Sequence, residues 1–345
     1  VLDIFNLDAF SVVTLTAAIN RIDHIPSRVG ELCFQGVGEG VATLNVALEY
    51  INRALTLIPV TDRQAPAPQE VRDLATLKSV TIPQIKLEQD IPVSMLQNLR
   101  LFGTENVMSG PEAMIDQQLT KIAGRHDMTL EHLRLGAIQG KVVDSTGAVL
   151  LDLFNFFGVS APENFDLTGV LGHSQTEVYN DVALRATCQQ IIRFIKRNIK
   201  SPWPGSAKVW ALCSDEVFDA VLSSIAVART FEHWDKAEQM LGESYAFGVF
   251  YYGGIFWENY RGSDDNSEVA IASKKVQFLP VDVPGLYAEY YAPADFMETV
   301  NTLGLPRYAK IAPDLKFNRN FYLHTQQNPL PICTRPQILV TGSID

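Results

Sequence analysis

A chain of 345 residues is long enough to bury a large core or to divide into two domains, and a hydrophobic fraction of 47% excludes general disorder. The net charge of −11 excludes a protein that coats nucleic acid with a basic surface, because that mode of binding depends on neutralising phosphates with Lys and Arg.

Residues 1–40 mix short apolar pieces with Asn20, Pro26, Gly30, Gly36, Gly38 and Gly40, which predicts an extended arm with at most a short helix near Ser11 to Asn20. From Val41 the pattern changes. Leu44, Val46, Leu48 and Tyr50 alternate with Thr43, Asn45, Ala47 and Glu49, the period of a half-buried strand. A second alternating run places Ile85 and Leu87 against Gln84, Lys86 and Glu88, flanked by Pro83 and Pro92. Between the runs lies Asp62 to Ala75, with Ala-Pro-Ala-Pro at 65–68 and Arg63, Glu70, Arg72 and Asp73. The two runs are expected to pair as a long arm with a polar tip, and because an isolated hairpin is marginal in water, the arm needs a surface to lie on.

Gly110-Pro111 then signals a helix start, since proline is tolerated where its missing N–H would be unpaired anyway. Met114, Ile115, Leu119, Ile122, Leu130, Leu133 and Ala137 recur at the helical period up to Gln139. At ~1.5 Å per residue such a helix is roughly 43 Å long, a strut rather than an ordinary packing helix. Gly124 weakens the helix and His126-Asp127 with Thr129 and Glu131 suggest a kink or a second N-terminus, and one bent helix is expected. Gly140 ends it, and Asp144-Ser145-Thr146-Gly147 supplies the turn of a hairpin running from Lys141 to Phe157.

Ser160 to Gln175 reads as a loop and Glu177 to Asn198 as a helix with Val178, Val182, Ile191, Ile192 and Ile195 on one side, stopped by Pro202-Trp203-Pro204-Gly205. Lys208 to Cys213 is a short buried strand, and Ser214-Asp215-Glu216 opens a helix to about Ala228. An aromatic block from Tyr245 to Trp257, divided by Gly253-Gly254, predicts two packed strand halves. Val269 to Leu279 is another strand. These pieces suggest a compact α/β domain over about 170–300. Gln337 to Thr341 is strand-like and is expected to pair with the hairpin that follows the strut.

Few residues suggest chemistry. Gly172-His173-Ser174-Gln175-Thr176 resembles the start of a nucleophile elbow, yet Thr176 replaces its last glycine and no strand precedes it, so Ser174 is expected to be a loop serine. Gly36-Val37-Gly38-Glu39-Gly40 lacks dinucleotide-binding spacing and reads as a flexible joint. His126 and His132 are six residues apart, not the four that would place two imidazoles on one helix face. They are read with Asp127 and Glu131 as solvated side chains. Arg193, Lys196, Arg197 and Lys200 read as a solvated helix face near a C-terminal dipole. Cys33, Cys188, Cys213 and Cys333 stand singly, so reduced and buried thiols are expected. No catalytic, cofactor-binding or metal-ligating residue is assigned. The apolar run Tyr245 to Trp257 is too short for a membrane span, and the N-terminal residues do not resemble a signal peptide, which predicts a protein made in a cytoplasm.

Residues 125–158, RHDMTLEHLRLGAIQGKVVDSTGAVLLDLFNFFG, resemble a signature of the lambda-type major capsid protein E family of tailed phages. The matching positions are Thr129, Leu130, Glu131, Arg134, Ala137, Gly140 and Lys141. Leu2-Asp3-Ile4-Phe5, Ala292-Pro293, Asn301-Thr302 and Asn328-Pro329-Leu330-Pro331 are similar to the same family. The resemblance implies an α+β Hong Kong 97-like capsid fold with N-arm 1–40, extended loop 41–96, spine helix and peripheral-domain hairpin 97–169, axial domain 170–300 and closing peripheral-domain strands 301–345. It further implies a structural, non-enzymatic subunit of an icosahedral head, made of pentamers and hexamers, assembled in the host cytoplasm and enclosing double-stranded DNA through weak contacts. Decoration, scaffolding and portal proteins are the implied partners, with no cofactor and no membrane. Cross-linking through Lys78 or Lys86 is not implied, and without a long helical leader before residue 1 no built-in scaffold is expected. Two other readings are an encapsulin-like compartment and a serine hydrolase using Ser174.

Overall fold

The computed structural model describes residues 15–16, 19–20, 27–50, 76–92, 94, 111–162, 164–171, 181–199, 203–224, 226–227, 248–260, 269–314 and 319–344. In chain order the elements of the first half are α1 (Arg28–Cys33), β1 (Gly38–Gly40), β2 (Asn45–Tyr50), β3 (Thr76–Thr81), β4 (Ile85–Pro92), α2 (Pro111–Gln139), β5 (Lys141–Val143), β6 (Val149–Asp152), α3 (Leu153–Phe157), β7 (Phe165–Asp166) and α4 (Thr168–Leu171). The second half adds α5 (Asp181–Asn198), β8 (Lys208–Cys213), α6 (Asp215–Leu222), β9 (Val249–Tyr252), β10 (Ile255–Asn259), β11 (Lys275–Val281), β12 (Tyr287–Tyr291), β13 (Tyr308–Pro313), β14 (Asn320–Gln327), β15 (Pro329–Cys333) and β16 (Val340–Ser343). They divide into two units. One is Val1–Val46, Val80–Arg134 and Ala288–Pro331, the other Ala47–Ser79, Leu135–Tyr287 and Ile332–Asp345.

In the first unit α2 lies against the sheet β13-β14-β4. Ile115, Leu119, Ile122 and Ala123 join Ile91, Ala309, Phe321 and Leu323 in one buried cluster, and Leu15 and Ile19 of the N-terminal segment complete it. The helix is uninterrupted at Gly124, as expected from its apolar period. It ends at Gly140, whose φ of +87° is a left-handed conformation that glycine adopts without strain. A second sheet, β1-β12-β15, pairs Gly38 to Gly40 in parallel with Glu289 to Tyr291. The glycine-rich stretch expected to be a flexible joint is therefore partly a strand, and the preceding arm contains the six-residue helix α1. Both elements are too short for a periodic signal; distant partners stabilise them.

The arm pairing also differs. β2 pairs with β3 rather than with the Ile85 run, while β4 pairs antiparallel with β14, from Ile85 opposite Gln327 to Pro92 opposite Asn320. Alternation identified both strands, but alternation carries no information about which strand lies alongside. The arm tip, Asp62 to Ala75, lies outside the described residues.

The second unit is organised around the six-stranded sheet β7-β16-β11-β8-β10-β9. β8 is found over the expected residues, and β9 and β10 form the aromatic hairpin across Gly253-Gly254, with Trp257 fully buried between Phe250 and Phe278. β16 pairs with β11 and β7, not with the post-strut hairpin, correcting the expected closure. Gly342 opposite Val276 explains part of this choice, because a side chain there would press on Val276, Phe278 and Leu167. The hairpin itself is β5-β6 and stops early: Asp152 accepts a hydrogen bond from the Asn155 amide at 3.1 Å and caps α3, where the strand had been expected to continue. The expected loop at 160–175 contains β7 and α4, and α6 ends at Leu222 instead of running to Ala228.

Candidate functional site

Among the described residues no group of three or more His, Cys, Asp or Glu is placed to hold a metal ion, and no helix is long and apolar enough to cross a membrane. Ser174, with Gly172 to Thr176, lies outside the described residues. Arg193, Lys196 and Arg197 are exposed on α5, with the Lys196 ammonium 5.0 Å from the Trp203 ring centroid; Lys200 also lies outside them. The four cysteines are buried, and burial pushes the Cys188 and Cys333 thiols up to about 12, so neither is a ready nucleophile.

The distinctive chemistry sits on α2, where three of the four residues expected to be solvated prove to be buried and His132 is half-buried. His126, Asp127 and Glu131 are 2%, 5% and 5% exposed, and with Arg134 they form a polar row at helical spacing. Each has a partner distant in sequence. His126 Nε2 is 3.0 Å from Thr325 Oγ1 on β14. Burial first, and then the Arg307 guanidinium, lower its pKa to about 4, so the imidazole is neutral near pH 7. Asp127 forms an ion pair with Arg307, both almost completely enclosed. Arg307 donates from Nη1 to the Ile19 carbonyl at 3.1 Å, while Asn20 Nδ2 donates to the Arg307 carbonyl at 2.9 Å.

One turn along, Glu131 accepts from the amides of Val29 and Gly30 at 2.8 and 3.2 Å. Those are among the N-terminal N–H groups that a helix leaves unpaired, so Glu131 is the cap that makes six-residue α1 viable. Arg134 then grips Glu289 of β12 with two parallel hydrogen bonds of 3.0 and 2.8 Å, and donates to Ser27 Oγ at 3.1 Å. Burial opposes the Arg134 charge, but the Glu289 carboxylate outweighs it and raises the pKa.

This arrangement can fasten; it presents no exposed reactive group. The row ties the N-terminal segment, α2 and the C-terminal strands of the first unit at fixed register. Glu131 and Arg134 are among the matching positions of the signature 125–158, whereas Glu289 and Arg307 carry no local signal. What was available in the sequence is the spacing 127, 131, 134 among Leu130 and Leu133, which places charges on a face that must be enclosed.

The arm lysines are engaged as well. Lys78 donates to the Phe156 carbonyl and lies 5.6 Å from the Phe156 ring centroid, and Lys86 bonds Asp295 at 3.1 Å beside Gln84 at 2.6 Å. The motif Asn328-Pro329 has a structural role too: Asn328 Nδ2 donates to the Pro293 carbonyl at 2.7 Å, and its own carbonyl accepts from Ala292 N at 3.0 Å.

The family model for phage major capsid protein E matches residues 11–344. A major capsid protein of Salmonella phage Felix O1 is 25% identical over 364 residues, covering 94% of this chain and 94% of that protein. A major capsid protein of Pseudomonas phage KPP10 is 24% identical over 360 residues, covering 96% of each. Among solved structures, one assigned as a prophage capsid protein in E. coli CFT073 superposes with a TM-score of 0.59 at 15% identity, covering 97% of this chain and 99% of that one.

Proposed function

Since the chain belongs to the phage major capsid protein E family, we propose that copies of it tile the icosahedral head of a tailed phage as pentamers and hexamers around double-stranded DNA. It is a structural protein, a component of the virion capsid, with the α+β capsid fold. The observation that carries this reading is the near end-to-end family match, residues 11–344, on a chain whose described buried polar groups fasten elements together. A closed shell repeats each contact by symmetry, so individually modest contacts sum to a stable particle.

In this reading the parts act as assembly modules: an N-arm at 1–40, an extended loop at 41–96, the spine helix and hairpin at 97–169, an axial domain at 170–300 and closing strands at 301–345. β16 pairs with β11, a strand within residues 170–300. Assembly takes place in the host cytoplasm, scaffolding, portal and decoration proteins are further partners, and DNA contact is weak and non-specific, in keeping with the charge of −11. No residue is assigned a catalytic, cofactor or metal-binding role. The phage major capsid relatives favour a DNA-filled head over an encapsulin-like compartment.

The extended loop is the module whose value lies in contacts with neighbours. Removing Gln64 to Arg72 and closing the gap with a short turn is expected to leave a soluble subunit with an unchanged circular dichroism spectrum and to lower shell yield strongly in electron micrographs. Normal yield would show that the tip is dispensable, and an unfolded subunit would place the segment in the intramolecular core.

A further inference from the structure

Nine large hydrophobic side chains are exposed among the described residues, and four of them, Met297, Val300, Leu303 and Leu305, fall within nine consecutive positions between β12 and β13. Met297 is 89% exposed and Leu303 68%. Scattered singly, such residues need no explanation, but a concentration on one loop marks an interaction surface.

The loop is held by polar bonds while these side chains stay largely exposed. Thr299 Oγ1 donates to the Ala294 carbonyl at 2.6 Å, and Thr302 Oγ1 to the Thr299 carbonyl at 2.8 Å. The Leu305 amide donates to the Tyr308 hydroxyl oxygen at 2.7 Å, and the Gly304 amide to the Val41 carbonyl at 3.0 Å. Asn301 adopts a φ of +60°, and Gly304 lies so close to the Tyr291 carbonyl that any Cβ would collide with it. The backbone is thus fixed by polar bonds and one close approach, and the apolar side chains are presented outward in a set arrangement. Leu44, 53% exposed, stands three residues past the Val41 anchor.

Charge indicates what covers the surface. Two copies of a chain carrying −11 repel each other, so contact between copies favours neutral patches. From Phe296 to Pro306 the only charged residue is Glu298, and Lys310 neutralises it at 2.9 and 3.1 Å. We propose that the Met297 to Leu305 loop, with Leu44, is a contact ridge that becomes buried against a second copy of the same chain in the assembled shell. This rests on the capsid reading and adds to it the residues through which copies meet.

The four native cysteines are buried, so Met297→Cys in the full chain introduces an exposed thiol that a maleimide can report. Labelling is expected to be fast in the unassembled subunit and at least tenfold slower in shells formed by the chain alone, with Leu303→Cys as an independent reporter. A Met297→Asp/Leu303→Asp double variant is expected to stay folded by circular dichroism while losing at least tenfold in shell yield. Shells in which position 297 and position 303 label at the subunit's rate would overturn the proposal while leaving the capsid reading intact. So would shells of the Asp double variant at normal yield, or protection that arises only when another virion protein is added. A wild-type chain that forms no shells at all, even with the other head proteins present, would contradict the capsid reading itself, and this inference with it.

Discussion

The two halves of α2 are held in different ways. From Met114 to Ala123 the helix is fixed by apolar packing against Leu15, Ile19, Ile91, Phe321 and Leu323. From His126 to Arg134 it is fixed by hydrogen bonds and ion pairs to Ser27, Val29, Gly30, Glu289, Arg307 and Thr325. Apolar packing supplies free energy but tolerates small shifts, since any well-shaped hydrophobic surface will do. Buried charges add little net stability, because desolvation offsets most of their attraction, but each misplacement leaves a charge without its partner. The first half therefore supplies adhesion and the second half register.

The largest expected effect comes from breaking the polar half. Arg307→Ala removes the cation beside buried Asp127 and the donor to Ile19, and should lower stability by about 3–5 kcal/mol in denaturant unfolding. The double variant Asp127→Leu/Arg307→Leu should recover much of that loss. A single-variant loss below about 0.5 kcal/mol, the range of ordinary surface changes, would mean that the pair does not set register.

Next is the apolar half. Leu119 is fully buried, and Leu119→Ala should cost roughly 2–5 kcal/mol, with no rescue by any charge change because its contacts are non-directional. A cost under about 0.5 kcal/mol would show that the helix face is assigned wrongly.

The third test sharpens the contrast through pH. His126 titrates at about 4 in the folded chain against an ordinary 6.5, so the unfolded chain binds the proton more readily. Stability is then fully present above about 6.5 and declines as pH falls towards 4, by on the order of 3 kcal/mol in total. His126→Gln should flatten that part of the pH profile measured by thermal unfolding, whereas Leu119→Ala should shift the whole profile without changing its slope. An unchanged slope in the His126 variant would place the acid sensitivity elsewhere.

The same contrast explains what the sequence discloses. The strut from Pro111 to Gln139, the turn at Asp144 to Gly147, β8 and the aromatic hairpin at Gly253-Gly254 follow from periodicity and turn chemistry, which are local properties. Partner choice is not local. The pairing of β4 with β14 and of β16 with β11 joins residues hundreds or scores of positions apart, and nothing in Ile85 to Pro92 encodes which strand lies beside it. The burial of His126, Asp127 and Glu131 was missed for a related reason: taken alone, charged residues on a helix are read as solvent-facing, and only Glu289, Arg307 and the amides of Val29 and Gly30 reveal that they are not. Of the fastening site, the matching positions of the signature 125–158 disclosed Glu131 and Arg134 as positions of note without disclosing what they hold.

The central claim is that this chain builds a closed shell from copies of itself, and electron microscopy of the purified full-length protein under assembly conditions tests it most directly. The expected image is closed, hollow particles of uniform size whose reconstruction shows icosahedral symmetry, with five-fold and six-fold clusters of a single subunit. A single small species at every protein and salt concentration, with or without the other head proteins, or particles without icosahedral symmetry, would contradict it.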